Sequence, residues 1–176
     1  MGLSYREKTI KYVIYCVVLL VASLLQNVSG LFPHIGSARC FFLIPVSIIL
    51  GINEDERIAA LLGLFGGFLW DAVSVQHMGF NCIFLMLVCF ISSALVSYIF
   101  RNTFITGFIS SAAAIVLYTL VYWLIFILLM SPEGAGGALL FFYIPSAVYT
   151  IVLTPALEAL LTLLKTKLNK AKQFDD

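Results

Sequence analysis

Charge is scarce in this sequence, and so are most of the groups from which a soluble enzyme is built. Of 176 residues only 11% are Asp, Glu, Lys or Arg, whereas 62% are hydrophobic and the mean hydropathy is +1.07. Soluble domains carry about 25% charged residues, so a water-soluble globule is excluded. There are two histidines, His34 and His77, and both fall in turn-rich connections between apolar runs. No set of His, Cys, Asp and Glu has metal-ligand spacing, and Cys16, Cys40, Cys82 and Cys89 sit within or at the edges of apolar runs as small packing residues. A disulfide between Cys40 and Cys82 is the one alternative pairing that their placement leaves open. No glycine-rich stretch leads into Lys-Ser or Lys-Thr, which removes a phosphate loop, and no basic patch with interleaved aromatics offers a nucleic-acid footprint. Catalysis needs a nucleophile, a base and an oxyanion or metal partner within reach of one another, and this inventory is too poor. The expectation is a protein that is not an enzyme and holds no cofactor or metal.

Long apolar runs are what the sequence has in abundance. A spanning helix needs roughly 20 apolar residues, so a chain of this length has room for about six and for no separate soluble domain. The expected fold is an all-α polytopic membrane bundle forming one domain over 1–176, with spans near 12–31, 40–52, 58–75, 80–100, 104–130 and 139–164. The first follows Arg6, Lys8 and Lys11 and resembles an uncleaved signal sequence, because no small-residue cleavage site follows it. The second is short and carries Pro45 near its middle, which fits a plain short span, a kinked or broken helix, or a re-entrant piece. Asn53, Glu54, Asp55, Glu56 and Arg57 form the dense charge run between spans and are expected in water. The fourth span repeats small residues at Cys89, Ser93 and Ser97, a face suited to close packing against the third. The fifth is long enough to imply tilt, and the sixth contains Pro145 and Pro155, where kinks are expected. With both termini in the cytoplasm, every Lys and Arg except Arg39 lies inside, as the positive-inside rule requires; five spans would place the tail lysines outside.

Asp71 stands out from this background as a lone carboxylate inside the third apolar run. Ala59, Gly63, Gly67 and Asp71 follow one another at intervals of four, along one face of a helix. Gly63 and Gly67 form a GxxxG pair that admits a neighbouring helix closely, so the acid should point into protein about three quarters of the way across the span. Two roles fit: a hydrogen-bonding post that fixes packing, which is preferred, or a proton or ligand contact in a cavity. Partners for the post would be serines or tyrosines of neighbouring spans, or Gln26 and Asn27 near the outer end of the first. Glu158, in the inner half of the sixth span, is either a second intramembrane charge or, preferably, a side chain snorkelling towards Lys165 and Lys167.

The pattern Gly63, Gly67, Asp71, followed by Gly79 and later by Phe100, Arg101 and Asn102 ending the next span, resembles the MreD family of bacterial rod-shape-determining membrane proteins. Length, six apolar segments, a charged start and a basic end resemble that family over nearly the whole chain, whereas the Glu54–Glu56 run has no counterpart in its pattern. The resemblance implies a non-catalytic subunit of the cell-elongation machinery in the plasma membrane. Its direct partner would be MreC, with MreB, RodA and a penicillin-binding transpeptidase reached indirectly, and it leaves room for a homo-oligomer within the complex. The resemblance also implies similarity in fold to the substrate-binding subunits of energy-coupling-factor transporters. The alternative function is therefore a small-molecule, vitamin-type binding subunit with a polar pocket open to the outside, for which Asp71, Gln26, Asn27 and the first outer loop are the candidates.

Overall fold

A computed structural model describes residues 5–28, 38–74, 78–98, 103–129 and 135–170. Among these residues the chain is helical and contains no β-strand. It runs through α1 (Tyr5–Asn27), α2 (Leu43–Gly51), α3 (Glu56–Asp71), α4 (Phe80–Tyr98), α5 (Phe104–Tyr122), α6 (Ala135–Ala138) and α7 (Ile144–Lys170). A π-helical stretch, Trp123–Leu128, extends α5, and another, Leu139–Tyr143, joins α6 to α7. Four segments, Lys8–Asn27, Phe80–Tyr98, Phe104–Leu128 and Ala135–Thr166, are long and apolar enough to cross a membrane. Their unburied faces carry side chains such as Val17, Leu24, Ile109 and Leu120, suited to hydrocarbon. The protein is thus a helical membrane bundle.

Two further helices, α2 and α3, are shorter than a bilayer core. α3 has 16 residues and α2 has 9, lengths of about 24 and 13 Å against a core of about 30 Å. All nine residues of α2 are buried. It lies at the centre of the bundle, in contact with α1, α3, α4, α5 and α7. Such a helix needs no polar face, which is why its sequence, LIPVSIILG, has no amphipathic period.

The second apolar run is helical only from Leu43 onwards. Residues 39–41 have no regular secondary structure, and Pro45 stands in the first turn of α2, where its missing N–H needs no acceptor. Non-helical backbone inside a bundle must find hydrogen-bond partners outside itself. Arg39 N–H donates to Ser146 Oγ at 3.0 Å, Phe41 N–H to Thr150 Oγ1 at 3.0 Å, and Leu43 N–H to Gln26 Oε1 at 3.0 Å. Two of these acceptors lie one turn apart on α7 and meet donors two residues apart in the segment before α2. The same α7 face continues through Thr154, Glu158, Thr162 and Thr166, a polar residue every fourth position from one end of the helix to the other. Ser146, Thr150 and Thr154 are wholly buried on it. Thr150 and Thr154 return their hydroxyl protons to the carbonyls of Ser146 and Thr150 at 2.7 and 2.8 Å, a habit of buried helical hydroxyls. α7 passes through Pro155 as one helix.

Two helices and two connections meet at one end of the molecule. Lys11 of α1, Glu54 between α2 and α3, Thr103 before α5 and Lys165 of α7 line the same cavity, so the first and last helices begin and end together. The opposite end holds the α3–α4 turn.

Thr150→Val removes the acceptor for a buried backbone N–H without changing side-chain shape. It should lower unfolding free energy in detergent by about 1–3 kcal/mol, whereas Thr150→Ser, which keeps the hydroxyl, should fall within about 1 kcal/mol of the parent. Equal stability of the Val variant in thermal or denaturant unfolding would refute this role for the hydroxyl.

Candidate functional site

Helices α3 and α4 form the tightest pairing in the bundle, and the glycines named above make it possible. A Cβ at Gly63 would lie 2.3 Å from the carbonyl oxygen of Leu85, and one at Gly67 would lie 2.4 Å from that of Asn81. Either distance is far inside van der Waals contact, so backbone meets backbone only because both side chains are absent. Cys89 faces Gly63, and Ser93 Oγ donates to the carbonyl of Glu54 at 2.7 Å; the expected small face of α4 extends that far, while Ser97 is exposed.

Asp71 closes this pairing at its far end. It is the last residue of α3, further along the helix than the three-quarter position expected of it, and it is 4% exposed. Its Oδ2 accepts the backbone N–H groups of Gly79 and Cys82, each at 3.0 Å, and its Oδ1 accepts Nδ2 of Asn81 at 2.8 Å. Gly79 precedes the first residue of α4 and its carbonyl accepts from Ile83 N–H, so it occupies the N-cap position with no side chain to cap the helix. Asp71 supplies the missing oxygen from the preceding helix. A carboxylate there also meets the positive end of the α4 dipole. Gly79 has φ +95°, a conformation that favours glycine. These partners differ from those expected. Gln26 is engaged with Leu43 N–H and Asn27 donates to Ser23 Oγ at 3.2 Å, because the α3–α4 turn brings unpaired N–H groups closer to the acid than any neighbouring span does.

Asn81 and Tyr118, absent from the sequence reading of this site, extend it to α5. Tyr118 Oη donates to Asn81 Oδ1 at 3.0 Å, so one amide bridges the carboxylate and the phenol. The Tyr118 ring is buried among Phe41, Trp70, Phe80, Phe84 and Tyr122, with centroids 5.0–6.1 Å away, the 5.0 Å neighbour being Trp70. It joins the segment before α2 with α3, α4 and α5 through one side chain. The signal in the sequence was the clustering of aromatics at the same level of successive helices, which is visible only once the helices are registered.

A second polar group lies at the Lys11 end. Here Glu54 departs from expectation. Its side chain is 7% exposed rather than solvated, because it turns inward to pair with Lys11 and to accept Tyr12 Oη and Tyr15 Oη, each at 3.4 Å. Lys165 Nζ donates to the carbonyl oxygen of Ile49 and stands 6.0 Å from the centroid of the Tyr15 ring. Glu158 does not snorkel to Lys165. It is 4% exposed and packs on α5, where a Cβ at Gly107 would lie 2.1 Å from its Oε1. Two helical turns separate it from Lys165, about 10 Å along α7. These charged groups border a cavity of about 450 Å³.

Gly63, Gly67, Asp71 and Gly79 are therefore brought together in one clasp, while Arg101, Asn102, His34 and His77 lie outside the described residues. All four cysteines are free thiols, so Cys40 and Cys82 are not joined. No group of His, Cys, Asp or Glu that could hold a metal occurs among the described residues.

Asp71→Leu strands three donors and should reduce the folded fraction in detergent more than Asp71→Asn, whose carbonyl can still accept. Gly67→Ala, which forces backbone apart, should cost about 1–3 kcal/mol. Gly136→Ala meets nothing within 4 Å and serves as the neutral comparison. Monodisperse yield and unfolding midpoints decide; normal values for both Asp71 variants would eliminate the capping role. Compared with known proteins, the chain matches no family model, no curated protein and no solved structure.

Proposed function

We propose that the chain is a non-catalytic integral membrane subunit of the bacterial cell-elongation complex, of the MreD type. In this reading it binds MreC and through it connects to MreB filaments, RodA and a penicillin-binding transpeptidase. The observation that carries the reading is the use made of Gly63, Gly67, Asp71 and Gly79. All four are spent on one clasp between two helices, as a protein that presents a fixed helical surface to partners requires. The gathering of Lys11 and Lys165 at one end supports six membrane crossings with both termini in the cytoplasm of a bacterial cell.

A transporter-type binding subunit is the second reading, and the cavity of about 450 Å³ speaks for it. That cavity opens at the Lys11 end, however, whereas a subunit capturing solute from outside needs its pocket at the Asp71 end. There, Asp71, Gln26 and Asn27 are already hydrogen-bonded within the chain.

Depletion from a rod-shaped bacterium should produce rounded cells, and affinity purification of the full chain should retrieve MreC and wall polymerases. Cells that keep their shape, or a purification that yields a vitamin or an ATPase module instead, would overturn the proposal in favour of the second reading.

A further inference from the structure

Glu158 packs on α5 in a recess that exists only because residue 107 is glycine. A Cβ there would lie 3.0 Å from Glu158 Cδ and closer still to Oε1, so the carboxyl group rests on the bare backbone of α5. The side chain is 4% exposed, and Oε2 is enclosed with no hydrogen-bond partner. The Gly107 N–H is itself engaged, donating to the Thr103 carbonyl at 3.2 Å. The ionisable groups bordering the adjoining cavity also have other partners. Lys11 pairs with Glu54, Tyr15 donates to Glu54, and Lys165, about 10 Å further along α7, donates to the Ile49 carbonyl. α2 has no ionisable residue, and those of α5, Tyr118 and Tyr122, begin about three turns beyond Gly107. Among the described residues no cation meets this carboxyl, and a bare carboxylate so placed costs far more than the neutral acid.

We propose that Glu158 is a proton-binding site, filled as the neutral carboxylic acid while α5 and α7 are seated together and emptied when they part. A carboxylic acid has a single O–H and tolerates an apolar recess, whereas a carboxylate needs donors that the Gly107 face does not hold. Glu158 also borders the cavity of about 450 Å³ that opens at the Lys11 end. Rotation about its side-chain torsions carries the carboxyl out of the recess into that cavity. There the O–H bond ionises, the proton passing to water and the electron pair staying on a carboxylate that water can solvate. Low pH therefore favours the seated form and high pH the parted one, since only the seated form keeps the proton. By linkage, whatever separates the two helices also releases the proton. The inference is independent of which partners the protein has.

The test is infrared spectroscopy of the full chain in an ester-free detergent, with hydrogen–deuterium exchange of α5 on the same samples. At about pH 6 exposed carboxyls are ionised, and Asp71 and Glu54 are held by donors. The parent should nevertheless show a carboxylic-acid C=O band, which Glu158→Gln removes. Glutamine is neutral and similar in shape, so that variant should stay folded with α5 seated. As the pH is raised the band should fade, and with it the amides of residues 104–111 should come to exchange at least about tenfold faster than in the Gln variant at the same pH. Four results would overturn the proposal: no band at about pH 6, a band that survives Glu158→Gln, a band that persists at every pH at which the chain stays folded, or fading of the band with α5 exchange unchanged.

Discussion

Two backbone N–H groups and one amide converge on the carboxylate of Asp71, and the arrangement of the bundle follows from that convergence. A helix beginning inside a membrane protein has N–H groups that neither lipid nor its own turns can satisfy. Here the previous helix satisfies them. Because the acid terminates α3 and caps α4, the two helices are fixed in register, and Gly63 and Gly67 then let their backbones touch. Asn81 carries the constraint one step further, to Tyr118 and α5. A carboxylate so fully used has little capacity left for proton transfer or ligand capture, which is why the clasp bears on architecture rather than chemistry.

The same requirement organises the second pass. Non-helical backbone before α2 is admissible only where side chains can accept its N–H groups, and the Ser146–Thr150 face of α7 with Gln26 of α1 provides those acceptors. The hydroxyl stripe of α7 therefore has different tasks along its length. Near its start it stabilises an irregular neighbour, and towards its end it reaches the charged cavity through Glu158. The two ends of the molecule contrast accordingly: acceptors around Asp71 are matched to donors, whereas the Lys11 end keeps a buried carboxylate oxygen without one.

Much of this was legible in the residues. Apolar run length gave the helices α1, α4, α5 and α7, since hydrocarbon demands about 20 residues irrespective of what the helix packs against. The four-residue spacing of Gly63, Gly67 and Asp71 identified the face of α3 that meets α4. The identity of the partners of Asp71 was not legible, because N–H groups have no letter in a sequence and any residue but proline at position 82 would have offered one. Glu54 misled for a related reason: a glutamate in a charge run is ordinarily solvated, and only the approach of Lys11, Tyr12 and Tyr15 from α1 makes an inward position favourable. The stripe Ser146, Thr150, Thr154, Glu158, Thr162, Thr166 was written plainly at helical spacing, yet isolated hydroxyls on an apolar helix carry little weight until a backbone is found against them.

The sequence by itself determined that this is a helical membrane protein, where its long helices lie, and which face of α3 is narrow. Those properties depend on periodicity and on the cost of charge in hydrocarbon, both local to the chain. Tertiary structure alone decided that Asp71 caps a helix, that the second apolar run is irregular before it is helical, and that Glu158 stands apart from Lys165. Each of these depends on which donor or acceptor a distant segment brings within about 3 Å, and hydrogen-bond energy falls off too steeply for sequence spacing to specify it.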